Sequence, residues 1–416
     1  MREVNGFVAP GFEPVVDALI ESADSAGEDG VAVAATIEGE TIVDIWSGDA
    51  DAGPWQRDTM CCIFSCTKGL ASLCVHILAD RGLLDVGAPV VRYWPEYGAQ
   101  GKEATLVRHF LNHSAGVVTL PRYYEVLPAG NAGLSDSASI AEHLAASPPS
   151  WEPGTACGYH ALTFGWLVGE LVKRIDGRTI GRFFAEEVAG PLGLDAFIGL
   201  HQEAETRVTD ARAPRLGSPQ ADTATAQIDA LLPAAREQLL AGDISSPEAL
   251  MFGALFIPPD VSDISEWIVQ LMNDPIIRRA ELAGGNGIAS ARALADMYVP
   301  LANAGRAANG TQLVSPESIE RFSTPQPLAD GTETGYALGY AVYPAGAGIA
   351  DVDGRSFGHS GAGGNLGLAD PGRRLSYAYV KNRMVYDIDA ASAPLRAVYR
   401  VLGYGTLDEA ALEAAP

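Results

Sequence analysis

The chain has 416 residues, of which 47% are hydrophobic and 19% charged; 52 Asp and Glu against 28 Lys and Arg give a formal net charge of −24. That composition is globular rather than disordered, and the length is sufficient for a large core without disulfide or metal staples. The acidity argues against nucleic acid and an anionic membrane surface as partners, since both require clustered Lys and Arg.

In chain order, residues 13–26 have the apolar spacing of an amphipathic helix. The first residues, Met1 to Gly6, lack the basic and apolar regions of a signal peptide. Runs 31–37 and 41–46 read as two strands around Glu38-Gly39-Glu40, a hairpin. A loop from Ser47 to Asp58 leads to an apolar helix that ends near Arg81-Gly82, where glycine suits the C′ position. Helical spacing recurs over 105–113, 137–146, 160–175 and 179–188. Residues 202–262, rich in Ala, Asp, Ser and Pro, read as a helical cap over a pocket. A helix over 288–303 follows, then strand-like runs at 336–343, 366–369 and 375–380 and a closing helix over 388–402.

Strands at both ends with helices between predict an α+β fold. One antiparallel sheet is built from 1–60 and 275–416, and 61–274 form a mostly helical domain packed against it. No apolar stretch reaches the ~18–20 residues that span a bilayer. Cys61, Cys62, Cys66, Cys74 and Cys157 include no metal-type Cys-x-x-Cys pair. They read as small buried hydrophobes in a reducing, cytoplasmic compartment.

The chemistry starts at Phe64-Ser65-Cys66-Thr67-Lys68-Gly69. On a helix, residues i and i+3 share a face, so the Lys68 amine folds back onto the Ser65 hydroxyl. A buried lysine with a lowered pKa is a base, which a serine nucleophile needs. Lysine is scarce: the others, Lys102, Lys173 and Lys381, have Ala99, Glu170 and Ala378 at the partner position. Such a serine also needs a second proton carrier and an oxyanion hole. The turn Trp151-Glu152-Pro153-Gly154 leads to Tyr159 and His160 at a helix start. Tyr159 shuttles a proton if cationic neighbours lower its pKa, or else packs; His160 is a base or a cap. The segment Phe357-Gly358-His359-Ser360-Gly361-Ala362-Gly363-Gly364-Asn365 is glycine-dense beside a strand, so its backbone can approach a ligand. Gly284-Gly285-Asn286-Gly287 reads as a tight turn with positive φ, and His113 as structural. No Gly-x-Ser-x-Gly elbow, His-Glu-x-x-His set or phosphate-binding loop occurs, so neither a metal nor another cofactor is expected.

Asp58-Thr59-Met60, Ser65-Cys66-Thr67-Lys68, Leu111-Asn112-His113-Ser114-Ala115-Gly116, Tyr159-His160, Asn286-Gly287-Ile288 and His359-Ser360-Gly361 occur in this order. The order resembles that of the β-lactamase-related serine hydrolases over residues 10–402. Tyr93-Trp94-Pro95-Glu96-Tyr97, Gly101-Lys102-Glu103 and Gly361-Ala362-Gly363-Gly364-Asn365 are most similar to the family VIII carboxylesterase branch. The resemblance implies a β-lactamase/DD-peptidase-like fold, with Ser65 as the acylated nucleophile, Lys68 as its base and Tyr159 as the second proton carrier. It implies an oxyanion hole from the N–H groups of Ser65 and Ala362, and a substrate-binding strand His359-Ser360-Gly361. Two departures stand out. Ala161 replaces the Asn of Tyr-x-Asn, and His359 replaces the lysine of Lys-Thr-Gly that holds a lactam carboxylate.

The expected activity is therefore hydrolysis of small or short-chain carboxylic esters through an acyl-enzyme. Trp151, Trp166 and the 202–262 cap are expected around the pocket. Transfer to another acceptor, amide hydrolysis and weak β-lactamase activity stay open, as do a catalytically inactive binding protein and the homo-oligomeric state.

Overall fold

Gly30–Ile37 and Glu40–Ala50 pair through a two-residue turn in which Glu38 and Gly39 both have positive φ, 53° and 82°. That turn has the twist of a β-hairpin, and glycine at its second position relieves the strain. The computed structural model describes residues 2–120, 123, 127, 131–215, 219–258, 260–343, 355–385 and 389–404.

The hairpin lies within one sheet. Its strands are β1 (Val4–Val8), β2 (Gly30–Ile37), β3 (Glu40–Ala50), β4 (Ala341–Tyr343), β5 (Ser356–Gly361), β6 (Asn365–Asp370) and β7 (Leu375–Lys381). Their order is β1-β3-β2-β7-β6-β5-β4, every neighbour antiparallel, with Gly53–Pro54 paired to the end of β3. Residues from both ends of the chain meet at the centre, where Ala34 faces Ala378.

Helices α1 (Pro14–Ser25), α2 (Thr67–Asp80), α3 (Thr163–Asp176), α4 (Ile264–Asn273), α5 (Ala291–Ala302) and α6 (Asp389–Val401) frame the sheet and the cleft beside it. Strand alternation sends Val31, Val33 and Ala35 to a cluster with Val15 and Leu19 of α1 and Leu395 and Val398 of α6. Ala32, Ala34, Ala378 and Val380 face the other way, into the larger cluster that contains α5, α2 and α3. Small side chains there let α5 lie close on the sheet. Both faces are thus covered, and β2 is buried along nearly its whole length. In α2, Thr67 through Leu78 are all buried, and Gly82 (φ 70°) follows it as expected. The α+β architecture, with an antiparallel sheet and flanking helices, matches the sequence reading.

Several boundaries differ. Residues 288–289 are a strand in a small sheet with 61–62 and 196–197, and α5 starts only after Ser290, whose side chain accepts the Ala293 N–H at 3.2 Å. The helix expected over 160–175 begins at Thr163, so Tyr159 lies in an irregular stretch before it. Of 336–343 only Ala341–Tyr343 is strand. β1 and β5 lack a β-type pattern because glycine interrupts them, and tertiary pairing makes them strands. The expected cap contains helices Pro219–Ala241 and Pro247–Ala254, while α4 lies beyond its boundary. Residues 216–218 and 259 of that cap, and residue 388 of the closing helix, lie outside the described residues. Cys61, Cys62, Cys66 and Cys74 are buried free thiols, but Cys157 is exposed. No described helix is long and apolar enough to cross a membrane.

Candidate active site

Ser65 sits in a 3₁₀ turn, Phe64–Cys66, that runs directly into α2. Phe64 before it has φ 47°. A bulky residue in that region costs about 1–3 kcal/mol, so the surroundings must hold it. Thr67 Oγ1 donates to the Phe64 carbonyl and accepts the Gly287 N–H at 2.7 Å. The Ile63 N–H donates to the Gly287 carbonyl at 2.9 Å. On the other side Cys66 Sγ donates to the His359 carbonyl at 3.1 Å. β5 passes so close that a side chain at position 361 would fall on the Ile63 carbonyl, which requires Gly361. Cys66 is thus a buried tie between α2 and β5, with its thiol pKa pushed up by burial.

Lys68 lies in the first turn of α2 on the same face as Ser65, and it is wholly buried. Its Nζ is 3.2 Å from Ser65 Oγ, 2.7 Å from the Ala161 carbonyl and 2.6 Å from the Gly284 carbonyl. Burial holds its pKa well below the usual lysine range. A neutral amine has two N–H bonds and one lone pair. Two carbonyls take the N–H bonds, and the lone pair is left for the Ser65 hydroxyl.

Tyr159 is reached from the segment after Trp151. The Gly158 N–H donates to the His113 carbonyl at 3.0 Å, and the His160 N–H donates to His113 Nδ1 at 3.1 Å. The Tyr159 ring packs between His113 (centroids 4.8 Å apart) and Tyr336 (6.3 Å, stacked), with Lys68 Nζ 4.7 Å from its centroid. Its hydroxyl lies within interaction range of the Ser65 side chain. From the sequence, cationic neighbours are expected to lower the Tyr159 pKa. Burial instead raises it above the usual phenol range, and the interaction with Ser65 offsets only part of that.

His359, on β5, is buried; Nδ1–H donates to the Ser360 carbonyl at 2.7 Å, leaving Nε2 without a partner among the described residues. Burial, with Lys68 nearby, lowers its pKa to about 3. His160 is lowered by burial to about 4 and donates from Nδ1 to the Gly158 carbonyl at 2.6 Å. Burial also takes His113 well below its usual value. All three are neutral at pH 7, so the site holds no histidine cation.

A cleft of about 420 Å³ opens on this group. Ser65, Tyr159, His359, Ser360, Gly361 and Ala362 all line it. Trp151 and Trp166, expected at the pocket, do not. Trp151 Nε1 donates to the Ser114 carbonyl at 3.2 Å, fixing the chain that leads to Tyr159. Trp166 is buried against Phe256, edge to face with centroids 5.2 Å apart. Of the expected cap, Leu255 alone lines the cleft among the described residues, and the indole that does so is Trp267.

Sequence reasoning missed the role of 284–287. None of Gly284, Gly285 and Gly287 has positive φ. Glycine is there for close approach: a side chain on Gly165 of α3 would fall on the Gly284 N–H. That packing brings the Gly284 carbonyl to Lys68, while Asn286 Nδ2 donates to the carbonyls of Ile277 (2.6 Å) and Ala280 (2.7 Å). Two glycine-rich stretches, one feeding a helix, were the available signal. Among the described residues no group of His, Cys, Asp and Glu could hold a metal ion.

A serine beside a desolvated lysine and a buried phenol, at the mouth of a cleft between sheet and helices, is the constellation of a serine hydrolase. The β-lactamase family model matches residues 15–400, and the chain belongs to that family. It is 33% identical over 392 residues to the esterase/β-lactamase LipL of Mycobacterium tuberculosis, covering 92% of this chain and 84% of LipL. A solved family VIII carboxylesterase superposes with TM-score 0.79 at 32% identity, over 96% of this chain and all of that one (100%). A penicillin-binding-protein homologue from Caulobacter crescentus gives 0.78 at 29% identity, over 96% and 100%.

Proposed function

We propose that the protein is a serine carboxylesterase that hydrolyses small, uncharged carboxylic esters through an acyl-enzyme on Ser65. The observation that carries this reading is the surroundings of Lys68. Its amine is buried with no carboxylate partner among the described residues and, when neutral, has its lone pair free for Ser65.

The steps follow from that geometry. Lys68 takes the Ser65 proton as Oγ attacks the ester carbonyl carbon. The oxyanion forms against the backbone N–H groups of Ser65 and Ala362. Collapse breaks the bond to the alcohol oxygen. That oxygen takes the Tyr159 proton, and Lys68 returns its own to Tyr159. Water repeats the sequence on the acyl-enzyme and regenerates Ser65. A phenol with a raised pKa suits the acid role, and an amine with a lowered pKa suits the base role.

Substrate choice follows from what the lining lacks. Neutral His359 stands where a lactam carboxylate would need a fixed cation. The similarity to a carboxylesterase and to an esterase/β-lactamase supports ester hydrolysis. Similarity to the second of these favours weak β-lactamase activity as a second reading, which nitrocefin turnover measures. Transfer of the acyl group to an added alcohol or amine, and amide hydrolysis, use the same acyl-enzyme. Free thiols, including exposed Cys157, support a reducing, cytoplasmic location. The test of the reading is Ser65→Ala with p-nitrophenyl butyrate: turnover should fall to background, and retained turnover contradicts it.

A further inference from the structure

The cleft is two-sided in its chemistry. Its polar groups come from the nucleophile turn, Tyr159, Tyr336 and β5, and no Asp, Glu, Lys or Arg is among its described lining residues. The remaining wall is aliphatic and aromatic, and its largest single contributor is α4, through Trp267, Ile268, Leu271 and Met272. Those positions are i, i+1, i+4 and i+5, one stripe along the helix. Val269 and Ile264 are also buried and tie α4 to the main core.

α4 is held firmly. Asp263 accepts the Glu266 N–H at 2.9 Å at its start. At its end Asn273 exchanges two hydrogen bonds with the backbone of Ala211, both 2.8 Å. The first bond caps the helix itself and the second pair ties its end to the chain at Ala211, so the wall has a defined shape. At about 420 Å³ the cleft falls in the size range of sites that enclose a drug-sized ligand, roughly 300–1,000 Å³. An acetyl or methyl group would leave most of the space along α4 unfilled.

We propose that α4 is the specificity surface of the enzyme, and that the preferred ester carries one bulky apolar group, aromatic or alicyclic, seated against Trp267, Leu271 and Met272. This rests on the reading of Ser65 as the acylated nucleophile. The ester group lies at Ser65 and β5, and the apolar group fills the space along α4. An anionic substituent on that group would meet no cation among the described lining residues, so the lining disfavours charged analogues.

The experiment compares kcat/KM across two ester series. One varies the acyl side, from p-nitrophenyl acetate to the cyclohexanecarboxylate and benzoate. The other varies the alcohol side, from methyl to benzyl butyrate. Wild type should favour the bulky member of one series, which states the side of the ester that faces α4. Trimming an apolar pocket costs about 10–200-fold in discrimination. Trp267→Ala and Leu271→Ala should each lower the bulky-to-small ratio about tenfold, and Leu271→Trp, which fills the space, should lower it as well. Fluorophosphonate labelling of Ser65 in each variant reports an intact nucleophile. Labelled variants with unchanged ratios in both series overturn the role of α4 while leaving the esterase reading in place. Wild-type protein that is neither labelled at Ser65 nor active on any ester overturns both.

Discussion

The Gly284 carbonyl lies 2.6 Å from Lys68 Nζ, closer than the Ser65 hydroxyl at 3.2 Å. The carbonyl reaches that position because Gly165 on α3 lets the 283–285 turn pack against the helix without a side chain between them. A methyl at position 165 must move the turn, and the turn carries the amine's hydrogen-bond partner. Gly165→Ala should destabilise the fold by about 1–3 kcal/mol, as overpacking does. It should also lower kcat more than it raises KM. Thermal melts and steady-state kinetics on the same preparation measure both.

The pH dependence follows from Lys68. Its folded-state pKa lies below the usual 10.5 because burial disfavours the ammonium. Activity needs the neutral amine, so kcat/KM should fall as pH drops through that lowered value and hold above it. The Tyr159 phenol is raised, which moves any alkaline loss upward. His359, lowered to about 3, adds no limb between pH 5 and 9. A pH profile with one acid limb, unchanged in His160→Asn, is the expected result.

Tyr159→Phe keeps the ring between His113 and Tyr336 and removes only the hydroxyl beside Ser65. If that hydroxyl protonates the leaving alcohol, kcat should fall about 10²–10⁴-fold, with the melting temperature nearly unchanged. Esters with better leaving groups need less help from an acid. The deficit should therefore shrink from alkyl to p-nitrophenyl esters in stopped-flow or steady-state assays.

His359→Lys places an ammonium where the neutral imidazole now lines the cleft with Ser65 and Tyr159. The ratio of nitrocefin to p-nitrophenyl butyrate turnover should rise at least about tenfold, since one well-placed charge contact is worth roughly 1.5–3 kcal/mol. Ester turnover itself should fall, because the new cation disfavours a proton on Lys68 during attack.

Asn286 is buried, and its amide donates to two carbonyls from a neighbouring helix and its exit, Ile277 and Ala280. Asn286→Ala leaves the Ala280 carbonyl without this donor, while the Ile277 carbonyl keeps the Ala280 N–H, and should cost about 1–3 kcal/mol. Urea denaturation should show a lower midpoint, and kcat should fall because Gly287 anchors Thr67 and Ile63 at the nucleophile turn.

How much of this was legible in the sequence differs by element. The hairpin at Glu38-Gly39, α2 with Gly82 after it, and the strands of residues 366–369 and 375–380 have local patterns that tertiary structure leaves intact. So does Ser65-x-x-Lys68, because a helical face is a local property. β5 was obscured by glycines that exist for its approach to Ile63, and β1 by the same lack of pattern. The 284–287 turn was misread because glycine marks close packing as readily as it marks positive φ, and one sequence does not distinguish them. Trp151 and Trp166 were expected around the pocket. Their neighbours put one under the Tyr159 segment and the other in the core, while Trp267 on α4, outside the expected cap, faces the cleft. Tyr159 lies with its ring centroid 4.7 Å from Lys68 Nζ, but its pKa moves upward because desolvation is the largest effect on it.

The central claim is a covalent acyl group on Ser65. Acid quenching during turnover of p-nitrophenyl butyrate, followed by intact-mass and peptide mass spectrometry, tests it directly. One butyryl group per chain is expected on the peptide containing Ser65, absent in Ser65→Ala and accumulating if deacylation is slowed in Tyr159→Phe. Full turnover with no adduct, or an adduct on another residue that survives Ser65→Ala, would contradict it.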